Sequence, residues 1–370
     1  IYTAYTLVDK LGTSLGFWPA LLLAAVAVGV LGALVEVLLL RRIYKAPELF
    51  QLLATFALVL VIKDAALWIW GPDELLGPRA PGLSGAVEIL GRQFPSYDLF
   101  LIVVGPVVLG LVWLLLTRTR FGTLVRAATQ DRAMVSALGV NQAWLFTAVF
   151  ALGALLAGLG GALQLPREPA TLEMDLHTIG AAFVVVVVGG MGSIPGAYVA
   201  ALLIAQIKAV CIWLGVVELW GTALSFSKLT LVVDFLVMAV VLVWRPWGLL
   251  GRPQAATRAT AGLQEQPLRR ASRTYGLGVA ALAVLLAAVP WLAAEAPYTL
   301  VLLIDLLVAA LFAASLHFIM GPAGMHSFGH AAYFGLGAYG AALLARSNLV
   351  PMEAALLLAP LAAAAGALLF

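Results

Sequence analysis

A chain of 370 residues that is 63% hydrophobic and only 11% charged, with a mean hydropathy of +1.06, carries more apolar side chain than one water-soluble core can hide. A soluble enzyme or nucleic-acid module is excluded, because the cations behind the net charge of +3 gather at the ends of apolar runs, where orientation in a membrane accounts for them. A single cysteine, Cys211, excludes an internal disulfide and, lying in an apolar run, reads as a packing residue.

The start at Ile1 carries no cleavable-signal pattern, and the apolar run from Ala354 to Phe370 stops without a flank, so the chain reads as a fragment of a longer polypeptide. A helix needs about 20 apolar residues to cross a bilayer. Phe17 to Leu40 is the first such run; Arg41, Arg42 and Lys45 at its end place that end in the cytoplasm, and Glu36 is expected to pair locally with them. Leu49 to Trp70 returns, with Trp68 and Trp70 suited to the interface. Residues 71–97, rich in Pro and Gly with mixed charge, predict an external loop. Leu99 to Leu116 descends again, and Trp144 to Leu163 ascends with Gly153, Gly158, Gly160 and Gly161 available for close helix packing. The loop that follows holds Glu168, Glu173, Asp175 and His177 at spacings that match no zinc pattern, so it predicts a solvated loop near a substrate entrance.

From Thr178 to Gly215 two apolar runs are broken by Gly189, Gly190, Met191, Gly192, Ser193, Ile194, Pro195 and Gly196. Broken backbone at membrane level survives only where protein or water satisfies it, so the break belongs inside the bundle or at its inner edge; a plain helical hairpin turn and an element of a translocation path are both open readings. Leu229 to Val243 descends and ends in WRPWGLLGRP, 244–253. Residues 254–274 are polar, basic and aperiodic, a cytoplasmic linker. Apolar runs then resume at Tyr275 to Leu292, Tyr298 to Met320, 331–345 and 351–370. The fold class is therefore an all-α polytopic membrane protein with about ten transmembrane or re-entrant segments.

Between the third and fourth runs lies RTRFGTLVRAATQDRAMVSALGVN, 118–141, a basic helix-forming stretch. Arg118, Arg120 and Arg126 hold it in the cytoplasm, Thr123 is expected to cap one short helix and Asp131 a second, and Gly139 to stop that second helix in a left-handed conformation. Charge alone asks for no more than a loop obeying the positive-inside rule. The order of its parts, RTRFG, RAATQD and then ALGVN, resembles the cytoplasmic coupling segment of permease subunits from branched-chain amino-acid ABC importers, the Liv-type permeases. GGMGSIPGA, 189–197, is similar to a signature of the same family, and WRPWGLLGRP resembles the C-terminal end of its H-type subunit. ASLHFIMGPAGMHSFGHAAYFGLGAYGAALLA, 314–345, resembles the early part of the M-type subunit.

The resemblance implies an ABC importer permease fold in which an H-type half, residues 1–253, lacking its own equivalent of the FGHAAYFGLGAY stretch, is joined by the linker 254–274 to the start of an M-type half, 275–370. It implies a bracket that docks on a separate ATPase through Arg120, Gly122, Arg126, Asp131, Arg132, Gly139 and Asn141. It further implies no enzyme activity and no cofactor or metal in this chain itself, with ATP and Mg in the partner ATPases. The other expected partners are an extracytoplasmic (periplasmic) substrate-binding protein, membrane lipid and an amino-acid-like substrate, with no nucleic acid. The setting is a bacterial inner (plasma) membrane and the mechanism is alternating access. Urea and short amides are the alternative substrates, since close relatives of the family carry them. Path or helix-break candidates are Gly189, Gly190, Met191, Gly192, Ser193, Pro195 and Gly196, with Asp234, Asp305 and His330.

Gly335, Gly337 and Gly340 spell GxGxxG, but without a preceding strand or a βαβ setting they make no dinucleotide site, and no GxxxxGK[ST] occurs. Lys208, Asp234 and Asp305 lie deep in apolar runs, where an unpaired charge costs at least about 2.5 kcal/mol; pairing between helices and contact with substrate are both open to them. His330 is suited to bridging two helices by hydrogen bonds. The rival from another class is a secondary transporter that uses Asp234, Asp305 or Lys208 for proton coupling, to which a cytoplasmic docking segment would be superfluous.

Overall fold

A computed structural model describes residues 1–44, 46, 48–89, 91–219, 222–251, 272–292, 297–321, 329–347 and 350–369. The linker expected at 254–274 lies outside the described residues apart from its last three. Two compact units emerge, Ile1–Thr257 and Arg258–Phe370.

The first unit begins with α1 (Tyr2–Leu15), which turns at Gly16 into α2 (Phe17–Val35). A π-helical turn (Glu36–Leu40) and the short α3 (Arg41–Ile43) extend the same run. The sequence predicts no helix before Phe17; α1 forms because its Ala4 and Val8 pack on Phe17, Ala20, Leu21 and Ala24 of α2. Next come α4 (Glu48–Trp70), the antiparallel hairpin β1 (Ala86–Ile89) and β2 (Arg92–Pro95), and α5 (Ser96–Arg118). Two short helices follow, α6 (Arg120–Gln130) and α7 (Arg132–Ala137), then α8 (Gln142–Gln164), α9 (Met174–Gly189) and α10 (Ile194–Leu214). A second hairpin, β3 (Val216–Leu219) and β4 (Thr222–Ser225), leads through α11 (Phe226–Leu229) into α12 (Val233–Trp244).

Small residues seat α2 against α8. A Cβ on Gly32 would fall 2.3 Å from the Cβ of Ala154, and one on Gly158 would fall 2.8 Å from the Cβ of Val28. In lipid, where no water is expelled between helices, this close approach is what makes the association favourable. Of the predicted packing glycines Gly158 is so used, Gly161 lies against Ile1, and Gly153 and Gly160 have nothing within 4 Å of a Cβ position among the described residues.

At one end of the bundle the loops are tied to each other. Leu75 and Ala170 exchange backbone hydrogen bonds of 3.2 and 2.8 Å, Arg167 pairs with Asp98 at 3.2 Å, and the Tyr97 hydroxyl donates to the Leu163 carbonyl at 2.7 Å. The loop expected at 71–97 thus contains a short hairpin. Its four-residue strands are exposed throughout, so no alternation of polar and apolar residues announces them.

The second unit comprises α13 (Arg273–Leu292), α14 (Pro297–Met320), α15 (His330–Arg346) and α16 (Met352–Leu369). Gly340 of α15 lies so close to α16 that a Cβ on it would come within 2.6 Å of the Ala362 Cβ. The GxGxxG spelling of 335–340 is therefore helix interior used for packing. Among the described residues six helices are long and apolar enough to cross a membrane, and four shorter apolar ones accompany them, which makes the chain an all-α, multi-pass membrane protein.

Candidate functional site

The segment 118–141 folds as a bracket closed by local bonds. Thr119, in extended backbone, caps α6: its Oγ1 accepts from the Gly122 amide at 3.2 Å. Thr123 is not the cap that the sequence predicts. It lies one turn inside the helix, because the extended backbone at Thr119 starts α6 earlier, and its hydroxyl donates back to the Thr119 carbonyl at 3.2 Å. Gly122 allows the reversal after α5, since a Cβ there would fall 2.1 Å from the Leu116 carbonyl oxygen. Asp131 caps α7, accepting from the Met134 amide at 3.0 Å. Gly139, at φ 82°, ends α7: its amide donates to Ser136 at 2.9 Å and that of Val140 to Val135 at 3.3 Å, the paired bonds of a Schellman stop. Asn141 caps α8 through the Trp144 amide at 3.2 Å.

One face of the bracket is fastened to the start of α8. Ala128 and Val135 are buried with Leu145, backed by Phe121, Leu124 and Val125. The Arg132 guanidinium lies 4.9 Å from the Phe146 ring centroid, and the Gln142 amide donates to the Arg132 carbonyl. The other face is open. Arg120, Arg126, Asp131 and Arg132 are exposed, and with them Met134 and Leu138, at 59% and 75% exposure. Cations around exposed apolar side chains on capped short helices are suited to a protein partner of opposite charge.

The glycine-rich break between α9 and α10 is a helical hairpin. Gly190, at φ 99°, stops α9; Ser193 caps α10 by accepting from the Gly196 amide at 3.1 Å, with Pro195 in the first turn. Gly189 and Gly196 press together, since a Cβ on Gly196 would lie 2.2 Å from the Gly189 carbonyl oxygen. Against them comes the segment after α12: Leu249 and Leu250 donate to the carbonyls of Val188 and Gly189 at 2.8 and 3.1 Å. A Cβ on Gly190 would sit 2.4 Å from the Gly251 nitrogen, and one on Gly248 2.5 Å from the Gly190 Cα. The two strings GGMGSIPGA and WRPWGLLGRP therefore meet, a contact that sequence spacing does not signal. Gly192 and the exposed Met191 stand clear of this packing.

Of the ionisable residues in apolar runs, Lys208 of α10 pairs with Asp234 of α12 at 2.7 Å, and Asp234 is 13% exposed with its Oδ1 buried and unpartnered among the described residues. Asp305 lies on α14 of the second unit, where it is exposed. His330 joins α15 to α14: its Nε2 lies 2.8 Å from the Ser315 hydroxyl, and its ring is flanked by Phe312. Residues 322–328, with Ser327 and Phe328 of the SFGHAA string, lie outside the described residues.

A family model described as branched-chain amino acid transport system, permease component, matches residues 1–242. The high-affinity branched-chain amino acid transport system permease protein BraD of Pseudomonas aeruginosa is 28% identical over 263 residues, covering 68% of this chain and 81% of that protein. The permease protein LivH of Salmonella typhimurium is 24% identical over 243 residues, 62% of this chain and 75% of LivH, and that of Escherichia coli K12 is 32% identical over 138 residues, 37% and 41%. No solved structure shows significant similarity. With two thirds of its length matched by the family and its helices those of a multi-pass protein, this chain belongs to the Liv-type branched-chain amino acid transport permeases of the inner membrane.

Proposed function

We propose that this permease moves branched-chain or other hydrophobic amino acids inward by alternating access, driven by separate ATPase subunits that dock on the bracket and fed by an extracytoplasmic substrate-binding protein. The observation that carries the reading is the bracket itself. Thr119, Asp131, Gly139 and Asn141 fix its ends, one face is packed onto α8, and the other presents cations around Met134 and Leu138. Docking would use Arg120, Arg126, Asp131 and Arg132 directly, while Gly122, Gly139 and Asn141 set the shape. ATP and Mg belong to the ATPases. In this reading the 189–196 hairpin closes one end of the bundle, and Asp234, Asp305 and His330 face protein or the path. Residues 1–253 and 275–370 act as H-type and M-type halves of one fused polypeptide.

The substrate class follows the relatives' names; competition of leucine uptake by urea or acetamide would select the short-amide alternative instead. Capture of a co-expressed cognate ATPase tests the coupling. The native chain is expected to capture it, and Arg126→Glu to bind about tenfold more weakly while inserting normally. Failure of the native chain to capture any ATPase removes the reading. The Lys208–Asp234 pair, with its unpartnered buried oxygen, favours the ion-coupled alternative, which would show uptake without ATPase that collapses with the proton gradient.

A further inference from the structure

Among the described residues Glu36 is the one fully buried charged side chain, at 0% exposure, and it sits on the π-helical turn between α2 and α3. Its Oε2 lies 2.5 Å from the Thr147 hydroxyl of α8 and 3.4 Å from Arg41 Nη2, and its Oε1 accepts from the Tyr44 hydroxyl at 3.1 Å. Arg41 also donates to Thr147 Oγ1 at 2.7 Å and to the Ala143 carbonyl at 3.4 Å. In an α-helix, residues five apart point about 140° from each other around the axis. The i→i+5 turn, in which the Arg41 amide bonds the Glu36 carbonyl, brings the two side chains to one side. A local ion pair at a helix end needs neither this turn nor burial.

The cluster continues into the bracket. The Tyr44 ring lies 5.7 Å from that of Phe146, whose ring carries the Arg132 guanidinium of α7. Burial, then the bond to Glu36, pushes the Tyr44 phenol up to about 12, so it remains a donor throughout the working pH range. An unbroken run of contacts thus leads from Arg132 through Phe146 and Tyr44 to Glu36 and the end of α2. A buried charge held by several polar bonds breaks and re-forms in discrete arrangements, whereas apolar surfaces slide, and removing one partner strands the others.

We infer that Glu36 is a positioning residue of a joint that passes motion of the bracket at 120–141 into α2. The inference rests on the reading of that bracket as the ATPase-coupling segment. Glu36 ties the end of α2 and α3 to the start of α8 when the bracket moves, so its loss lets that end lag behind α8 beyond the seat of Gly32 on Ala154.

The test uses the full chain with its ATPases and substrate-binding protein in proteoliposomes, reading leucine transported per ATP hydrolysed. Glu36→Gln keeps the shape and the Tyr44 bond but removes the charge that holds Arg41. ATPase capture is expected to stay native while leucine moved per ATP falls about tenfold, with partial recovery in Glu36→Asp. Phe146→Leu interrupts the run without touching the charge and is expected to lower the ratio in the same direction, which keeps the test open should Glu36→Gln fold poorly. A native transport ratio in Phe146→Leu and in whatever Glu36→Gln protein survives would make Glu36 a mere fastener and overturn the inference. Failure of the parent reading looks different, since the unmutated chain would then show no ATP-dependent uptake.

Discussion

Two glycine-marked joints in the first unit are built in opposite ways. At Gly139 the backbone turns left-handed to end α7, and nothing lies within 4 Å of where a Cβ would stand. At Gly190 the backbone also has positive φ, but the chain returning after α12 runs against it, and a Cβ would strike the Gly251 nitrogen at 2.4 Å. The first joint needs a conformation, and the second needs space as well. The bracket is consequently a body whose ends are fixed by its own side chains, hung on α8 by Leu145 and Phe146. The 189–196 hairpin is fused backbone to backbone with the end of α12. The first construction fits the partner-driven bracket proposed above, and the second fits a hairpin that moves only together with the end of α12.

The largest effect separating the two is expected at Gly190. Gly190→Ala adds left-handed strain and forces the Trp247–Gly251 segment off α9, breaking the Leu249 and Leu250 bonds, at a cost of about 3 kcal/mol or more. The expected result is loss of most folded, detergent-stable protein by size-exclusion chromatography. A yield and melting temperature near native would mean that the backbone contact is slack and that the two joints are not different in kind.

Gly139→Val sharpens the other side. Open space removes any clash, so the cost is the conformation alone, about 1–3 kcal/mol for a β-branched residue in the left-handed region. That cost falls on the end of α7, far from the helix core. Insertion is expected to stay native and melting to fall by only several degrees, while ATPase capture and ATP-dependent uptake drop. Undiminished uptake in this variant would show that the stop at Gly139 plays no part in coupling.

What could be read from the sequence was local. Asp131 and Gly139 were legible as cap and stop because each works within three or four residues of itself. Thr119 and Thr123 were not separable, since two threonines four apart offer the same hydroxyl and only the extended backbone at Thr119 decides. A local partner for Glu36 among the cations after α2 could be anticipated, and Arg41 is that partner. Its burial, its π turn and Thr147 could not, because they depend on α8, more than 100 residues away in sequence. Lys208 could be matched with Asp234 by depth alone, and the same reasoning offered Asp305 equally, since depth in an apolar run does not rank one aspartate over the other. The hairpins at 86–95 and 216–225 were hidden by their length, and the meeting of 189–196 with 247–251 left no trace in the spacing of either string.

The smallest effect belongs to Gly192, two residues from Gly190 in the same string. It too has positive φ, 83°, but nothing lies within 4 Å of its Cβ position, and no bond from the Trp247–Gly251 segment reaches it. Gly192→Ala therefore keeps the Leu249 and Leu250 bonds and adds only strain, about 1 kcal/mol. For a domain of this size that is a melting shift of about 2–4 °C, with uptake unchanged. Because both residues sit in one turn, sequence context cannot explain a difference between their alanine variants; only the presence of a second backbone at Gly190 can. Equal, large losses at both positions would mean that left-handed conformation alone sets the cost here, and the distinction between a joint needing shape and a joint needing space would dissolve.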